Sequence, residues 1–252
     1  MRHAVLGAGG VGAFVGAALA RTGRDVLLLM REESLARYGG VVHVESALLG
    51  DFDAEVPAAA TLERPVDVLW VTTKATQLHD ALERIPEGAA ANAIVVPLLN
   101  GLDHVELLRG RFGFTAVVPA SIAIESERVE PGHVRQLSPF AIAVVSPGPH
   151  AEELRRELSG AGLTASIGES EAGVLWGKLA LLAPLALPTT LRGSELGAVM
   201  ADPAWRERLE GCVREVVAVA GADGVQLDAE TITAPIETVP PDARSSMQKD
   251  RE

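Results

Sequence analysis

The residues with the most chemical content lie in a short turn near the start of the chain, Gly7-Ala8-Gly9-Gly10-Val11-Gly12. An apolar run precedes it, a helix-like stretch follows, and its glycines fall as G-x-G-x-x-G. In a strand–turn–helix unit this spacing holds the pyrophosphate of a dinucleotide. Gly7 permits the tight turn, Gly9 lets backbone approach the phosphates, and Gly12 lets the helix pack close to the strand. The helix N-terminus then turns unpaired N–H groups and a partial positive charge toward the anion. A loose glycine motif is also an ordinary turn. The order of strand, turn, helix and second strand is what selects the cofactor reading.

A second group of residues indicates what such a cofactor would be and what it would do. The segment DVLLLMRE puts Arg31 at the end of the second strand, where NAD-binding domains carry an acid for the ribose 2′-hydroxyl. A guanidinium there grips a 2′-phosphate or stacks on the adenine, so NADPH is expected over NADH. In the plainer alternative Arg31 is a solvated loop residue and Glu32 or Glu33 takes the ribose. Among 22 basic residues only Lys74, Lys178 and Lys249 are lysines. Lys74 follows the strand-like VDVLWVTT, while Lys178 sits inside the apolar VLWGKLALL. A partly desolvated lysine can have its pKa lowered and deliver a proton, which arginine cannot do; the competing role for Lys178 is a side chain snorkelling to water. Asn100, in PLLNGLD, reads either as a polar arm near the nicotinamide or as half of an Asn-Gly turn.

These residues need a sheet edge to carry them. Short apolar runs at 3–6, 25–30, 66–72, 93–98, 115–118 and 140–145 alternate with amphipathic segments at 11–22, 75–84, 103–109 and 151–159. That alternation predicts an α/β fold with a doubly wound, Rossmann-type parallel sheet, in a dinucleotide-binding domain over 1–167. Residues 41–56 alternate imperfectly around Gly50-Asp51 and read as a hairpin-like insertion. Residues 168–252 read as a smaller all-helical substrate domain, with a cleft expected at the junction. Within it Asp202 and Pro203 open a helix, and the proline- and threonine-rich 231–244 reads as irregular chain. Residues 172–191 are apolar throughout, but Lys178, Pro184 and Pro188 favour a kinked core helix over a membrane span.

The remaining composition bounds the setting. A formal charge of -12 and the lack of a basic cluster disfavour nucleic acid and anionic membranes as partners. One cysteine, Cys212, and no signal-like N-terminus point to the cytoplasm. The six histidines are scattered without ligand spacing, so no metal site is expected. Apolar faces on the helical domain serve either its own core or a homodimer.

Taken in order, the landmarks resemble the ketopantoate reductase (2-dehydropantoate 2-reductase) family. The likeness runs through the glycine turn, Arg31, Thr73-Lys74-Ala75, Asn100-Gly101, Glu130-Pro131-Gly132-His133-Val134, Trp176-Gly177-Lys178-Leu179, the run from Glu215 to Ala220, and Ser245-Ser246-Met247 ahead of Asp250. The resemblance implies NADPH-dependent reduction of 2-dehydropantoate, a small 2-oxo acid, to pantoate in pantothenate and coenzyme A biosynthesis. It implies that Lys178 is the general acid, that Lys74 and Asn100 position cofactor and substrate, and that Ser245 binds the substrate carboxylate. Two departures stand out. Leu182 and Ala186 occupy positions where the family carries asparagines, and the chain stops at Glu252, short of the family's glutamate-bearing C-terminal segment. They keep two alternatives open: a related reductase of another, less polar carbonyl compound, and a cofactor-binding protein without turnover.

Overall fold

The computed structural model describes residues 1–251 and divides into two compact units, with the boundary between Val174 and Leu175. In chain order the first unit holds β1 (Arg2–Leu6), α1 (Gly10–Arg21), β2 (Asp25–Leu29), α2 (Glu32–Leu35), β3 (Val41–Ser46), β4 (Phe52–Glu55), β5 (Ala58–Ala59) and β6 (Val68–Val71). A 3₁₀ turn (Ala75–Gln77) and α3 (Leu78–Leu82) follow, then β7 (Ile94–Pro97), α4 (His104–Phe112), β8 (Ala120–Ala123), β9 (Ser126–Glu130), β10 (His133–Gln136), β11 (Ile142–Val145), α5 (Ala151–Gly160) and β12 (Thr164–Ile167). The long helix α6 (Glu171–Arg192) begins in this unit and runs into the next.

The central sheet is parallel throughout, in the order β5-β2-β1-β6-β7. Strands β6 and β7 are buried at every residue, as a sheet covered on both faces demands. The order reverses at β1, so the crevice between the carboxyl ends of β1 and β6 is the topological switch point where open α/β sheets bind ligands.

The sheet is narrower than the apolar runs suggest. Of residues 115–118, Val117 makes only an isolated bridge to Val95. The run at 140–145 forms β11, which pairs antiparallel with β8 and parallel with β12 in a sheet of its own. Its apolar composition hides a period of two, with Ala143 and Val145 fully buried while Ile142 is exposed. The insertion at 41–56 is a hairpin, with β3 and β4 antiparallel, and it joins β10 and β9 in a four-stranded sheet. Val42 and Val44 bury their side chains completely, so this insertion also supplies core.

The second unit continues α6 and adds α7 (Leu196–Ala201), α8 (Pro203–Ala222), α9 (Ala229–Thr238) and α10 (Ser246–Lys249) around Leu196, Val199, Leu209, Val213, Ile232 and Ile236. Asp202 caps α8 through the Ala204 and Trp205 N–H groups, with Pro203 in the first turn. Of residues 231–244, expected to be irregular chain, 231–238 are helical as part of α9, while 239–244 hold no helix or strand. Asp228 accepts the Thr231 N–H at 2.9 Å, and Ile232 and Ile236 form a buried i, i+4 pair that outweighs the missing N–H of Pro235. Helix α6 is long and apolar enough to cross a membrane by length and composition, but 44% of its most apolar window is buried within the protein. It stays continuous through Pro184 and Pro188, and Thr189 donates its hydroxyl to the Leu185 carbonyl at 2.7 Å.

Beneath the central sheet lies a buried polar chain. Trp70 Nε1 donates to His3 Nδ1 at 3.1 Å and the two rings stack. His3 Nε2 lies 3.3 Å from Glu157, which also receives both nitrogens of the Arg24 fork. The Trp70 bond fixes the tautomer, leaving the His3 proton on Nε2. Burial pushes the His3 pKa below its ordinary 6.5, with smaller contributions from the N-terminus and Arg24 and opposition from Glu157. Below pH 6.5 the unfolded chain therefore binds a proton that the folded chain resists, and stability falls as pH drops. Denaturant titrations between pH 7.5 and 5.5 should show this loss, and His3→Gln should flatten it. An equal decline in both proteins would exclude His3 as its source.

Candidate active site

Three chain segments meet at the carboxyl edge of the central sheet. Gly7 leaves β1 with φ +99°, a conformation in which a side chain would be strained, and a Cβ there would also lie 2.7 Å from Thr73 Cγ2. A Cβ on Gly12 would lie 2.2 Å from the Gly7 carbonyl oxygen and 2.3 Å from Thr72 Oγ1. The hydroxyl of Thr72 donates to that same Gly7 carbonyl at 2.7 Å and to Leu6 at 3.1 Å, locking the turn to the end of β6. On the far side, Ser126 donates to the Gly10 carbonyl and lies too close to admit a side chain at residue 10.

The arrangement fits a dinucleotide. A Cβ on Gly9 would meet nothing within 4 Å, and Gly9 caps α1 without any side-chain hydrogen bond, so the first N–H groups of the helix are left for an anion. Ala8 and Val11 complete the turn between β1 and the first turn of α1. Beside it, Thr73 Oγ1 is buried with no hydrogen-bond partner among the described residues. Arg31, directly ahead of α2, is exposed and makes no side-chain hydrogen bond or ion pair among the described residues. Lys74 is exposed at the cap of the 3₁₀ turn after β6, and Asn100 is exposed after β7, next to Gly101 at φ +92°. Thr72, Thr73 and Ser126 were not expected at the site. The Thr-Thr pair ending an apolar strand was the readable signal, whereas Ser126 is brought in only by the four-stranded sheet.

In the second unit, Lys178 lies on α6, two residues after Trp176, whose indole donates to Asp223 at 2.7 Å. Burial pushes the Lys178 pKa down to about 8, since the ammonium loses hydration there. Leu182 and Ala186 follow at i+4 and i+8, on the same helical face. Ser245 has a structural task. It caps α10 in a reciprocal box with Gln248, is 6% exposed, and lies 3.4 Å from both the Thr189 and Thr190 hydroxyls. The residue that the resemblance assigns to a substrate carboxylate thus also has a capping task, and the neighbouring Ser246 is exposed.

Comparison with known proteins agrees with this architecture. The family model for ketopantoate reductase PanE/ApbA matches residues 3–147, and that for its C-terminal part matches 172–252. The uncharacterized oxidoreductase YkpB of Bacillus subtilis is 30% identical over 237 residues, covering 90% of this chain and 77% of the relative. A Mycobacterium tuberculosis 2-dehydropantoate 2-reductase is 34% identical over 192 residues, covering 74% of this chain and 63% of the relative, less than two thirds of its length. The structure of a PanE/ApbA family ketopantoate reductase from Ralstonia eutropha superimposes with a TM-score of 0.89 at 25% identity, covering 99% of this chain and 85% of that one. D-mandelate dehydrogenase solved with NADH and anilino(oxo)acetate, at 20% identity and a TM-score of 0.87, shares the fold. With the parallel sheet, the glycine turn and the helical unit in the order these models require, the chain belongs to the ketopantoate reductase PanE/ApbA family.

Proposed function

We propose that this protein reduces a small 2-oxo acid with NADPH, that 2-dehydropantoate is the substrate and pantoate the product, and that the step serves pantothenate and coenzyme A biosynthesis. The observation carrying this reading is Lys178, a lysine brought to a pKa of about 8 on an otherwise apolar helix, which suits a general acid near neutral pH. NADPH, when bound, supplies hydride to the ketone carbon. Gly7 to Gly12 would hold its pyrophosphate, Arg31 its 2′-phosphate, and Lys74 and Asn100 would orient the reacting end. The Lys178 ammonium offsets the negative charge developing on the ketone oxygen and then gives it a proton. Asn100 supplies a further polar contact to substrate, and the Ser245 cap holds α10 in place.

Leu182 and Ala186 favour a second reading, in which the substrate is a less polar carbonyl compound. We take the setting to be the cytoplasm, supported by the single cysteine, and the assembly to be a homodimer, supported by exposed Leu187, Leu191 and Val219 on the helical unit.

Two experiments test the assignment. NADPH should bind more tightly than NADH, and Arg31→Ala should weaken NADPH alone by roughly tenfold to a hundredfold, the worth of charged hydrogen bonds to a phosphate; equal starting affinities would overturn the 2′-phosphate contact. NADPH oxidation across a panel of 2-oxo acids should be fastest with 2-dehydropantoate. Lys178→Ala should lower it by about 10²- to 10⁴-fold with NADPH binding kept. Because the ammonium is the active form, the wild-type rate should fall as pH rises through about 8. Binding without oxidation of any panel member would favour a protein without turnover.

A further inference from the structure

The four-stranded sheet brings together side chains that the sequence keeps far apart. His43 on β3 and His133 on β10 are direct partners across the parallel pair, and their ring centroids are 5.1 Å apart. Glu45, two residues along β3, shares their face, and one donor atom from each of the three lies within 4.8 Å of the others. Each imidazole already meets a carboxylate. Asp53 on β4 lies 2.6 Å from His43 Nδ1, and Glu45 Oε1 lies 2.5 Å from His133 Nε2. Arg135 binds the other Glu45 oxygen at 2.9 Å and reaches Glu127 at 3.3 Å. The side chains of His43, Glu45 and His133 are 49%, 34% and 24% exposed, so the group is open to solvent.

We propose that this face is a binding site for a divalent transition-metal ion, zinc foremost, held by His43, His133 and Glu45. Two imidazoles and a carboxylate are a donor set that zinc favours at bonds of about 2.0–2.2 Å, and His133 Nε2 and Glu45 Oε1, 2.5 Å apart, would separate to admit it. Asp53 fixes the His43 tautomer by taking Nδ1, which leaves Nε2 as the ligand, and Arg135 orients Glu45 mainly through Oε2 at 2.9 Å, with a longer contact of 3.5 Å to Oε1. The ion would take the place of the hydrogen between His133 Nε2 and Glu45 Oε1, with the ring hydrogen of His133 then on Nδ1. Ion pairing accounts for Arg135 with its two glutamates and for each imidazole with its own carboxylate; it does not by itself bring donor atoms of His43, Glu45 and His133 within 4.8 Å of one another. The expectation of no metal site rested on spacing along the chain, and β3 and β10 close that gap in space. Bound there, the ion would fasten the hairpin insertion to a strand some ninety residues later.

Titration of the untagged, EDTA-stripped and dialysed full chain with Zn²⁺ at pH 7.5 should show one site and a rise in thermal midpoint. Mg²⁺ and Ca²⁺, which prefer oxygen donors, should give neither. His43→Ala and His133→Ala should each weaken Zn²⁺ at least tenfold, and Asp53→Asn roughly tenfold to a hundredfold through the second layer. Co²⁺ added to the wild-type chain should give a visible absorption band from nitrogen and oxygen ligation, which tests the site even where a variant fails to fold. Absence of that band, or Zn²⁺ affinity unchanged in a folded His43→Ala/His133→Ala double variant, would overturn the proposal.

Discussion

The first unit depends on how closely one helix approaches one sheet. At Gly12, α1 lies against the Gly7 carbonyl and the Thr72 hydroxyl with no room for even a methyl group, and at Gly16 a Cβ would come within 2.8 Å of Leu28. This contact aims the N-terminus of α1 over the carboxyl ends of β1 and β6. Had residue 12 carried a side chain, the helix would have to move outward or tilt, and its N–H groups would leave the switch point of the sheet. The hydrogen bond from Thr72 to Gly7 ties the same turn to the end of β6, so the segment leading to Lys74 is set by the contact that sets the glycine turn.

Sequence patterning was most legible where one physical cause dominated. The run DVLLL and the buried VLWV read correctly as strands because both faces of a covered parallel sheet are apolar. Asp202-Pro203 read correctly as a helix start because capping is local. Legibility failed where distant pairing decided the outcome. Residues 126–136 are largely polar, yet they form β9 and β10 because the hairpin β3–β4 offers an edge to pair with. Pro235 argued for irregular chain, but Ile232 and Ile236 had an apolar core to fill. Gly7 to Gly12, Arg31, Lys74 and Asn100, proposed from the sequence as site residues, all follow carboxyl ends of strands of the central sheet. For Ser245 the sequence did not show that its hydroxyl meets Thr189, Thr190 and Gln248, contacts that depend on how distant segments of the helical unit pack.

Helix α6 carries a cost along with its lysine. A folded-state pKa of about 8 against an ordinary 10.5 means that the folded chain holds the Lys178 proton less tightly than the unfolded chain does. The resulting penalty is full below pH 8 and fades between pH 8 and 10.5. The buried ammonium is thus kept at the expense of fold stability, a cost that the proton-donor role proposed for Lys178 would account for.

Trp70 is fully buried against His3 in the first unit, whereas Trp176 and Trp205 lie in the second. The three indoles are the only tryptophans in the chain. Indole emission therefore has a single source in the first unit, and that source abuts an imidazole able to quench it when protonated. Removing the two indoles of the helical half would turn Trp70 into an optical gauge of how the sheet opens, with no dye attached.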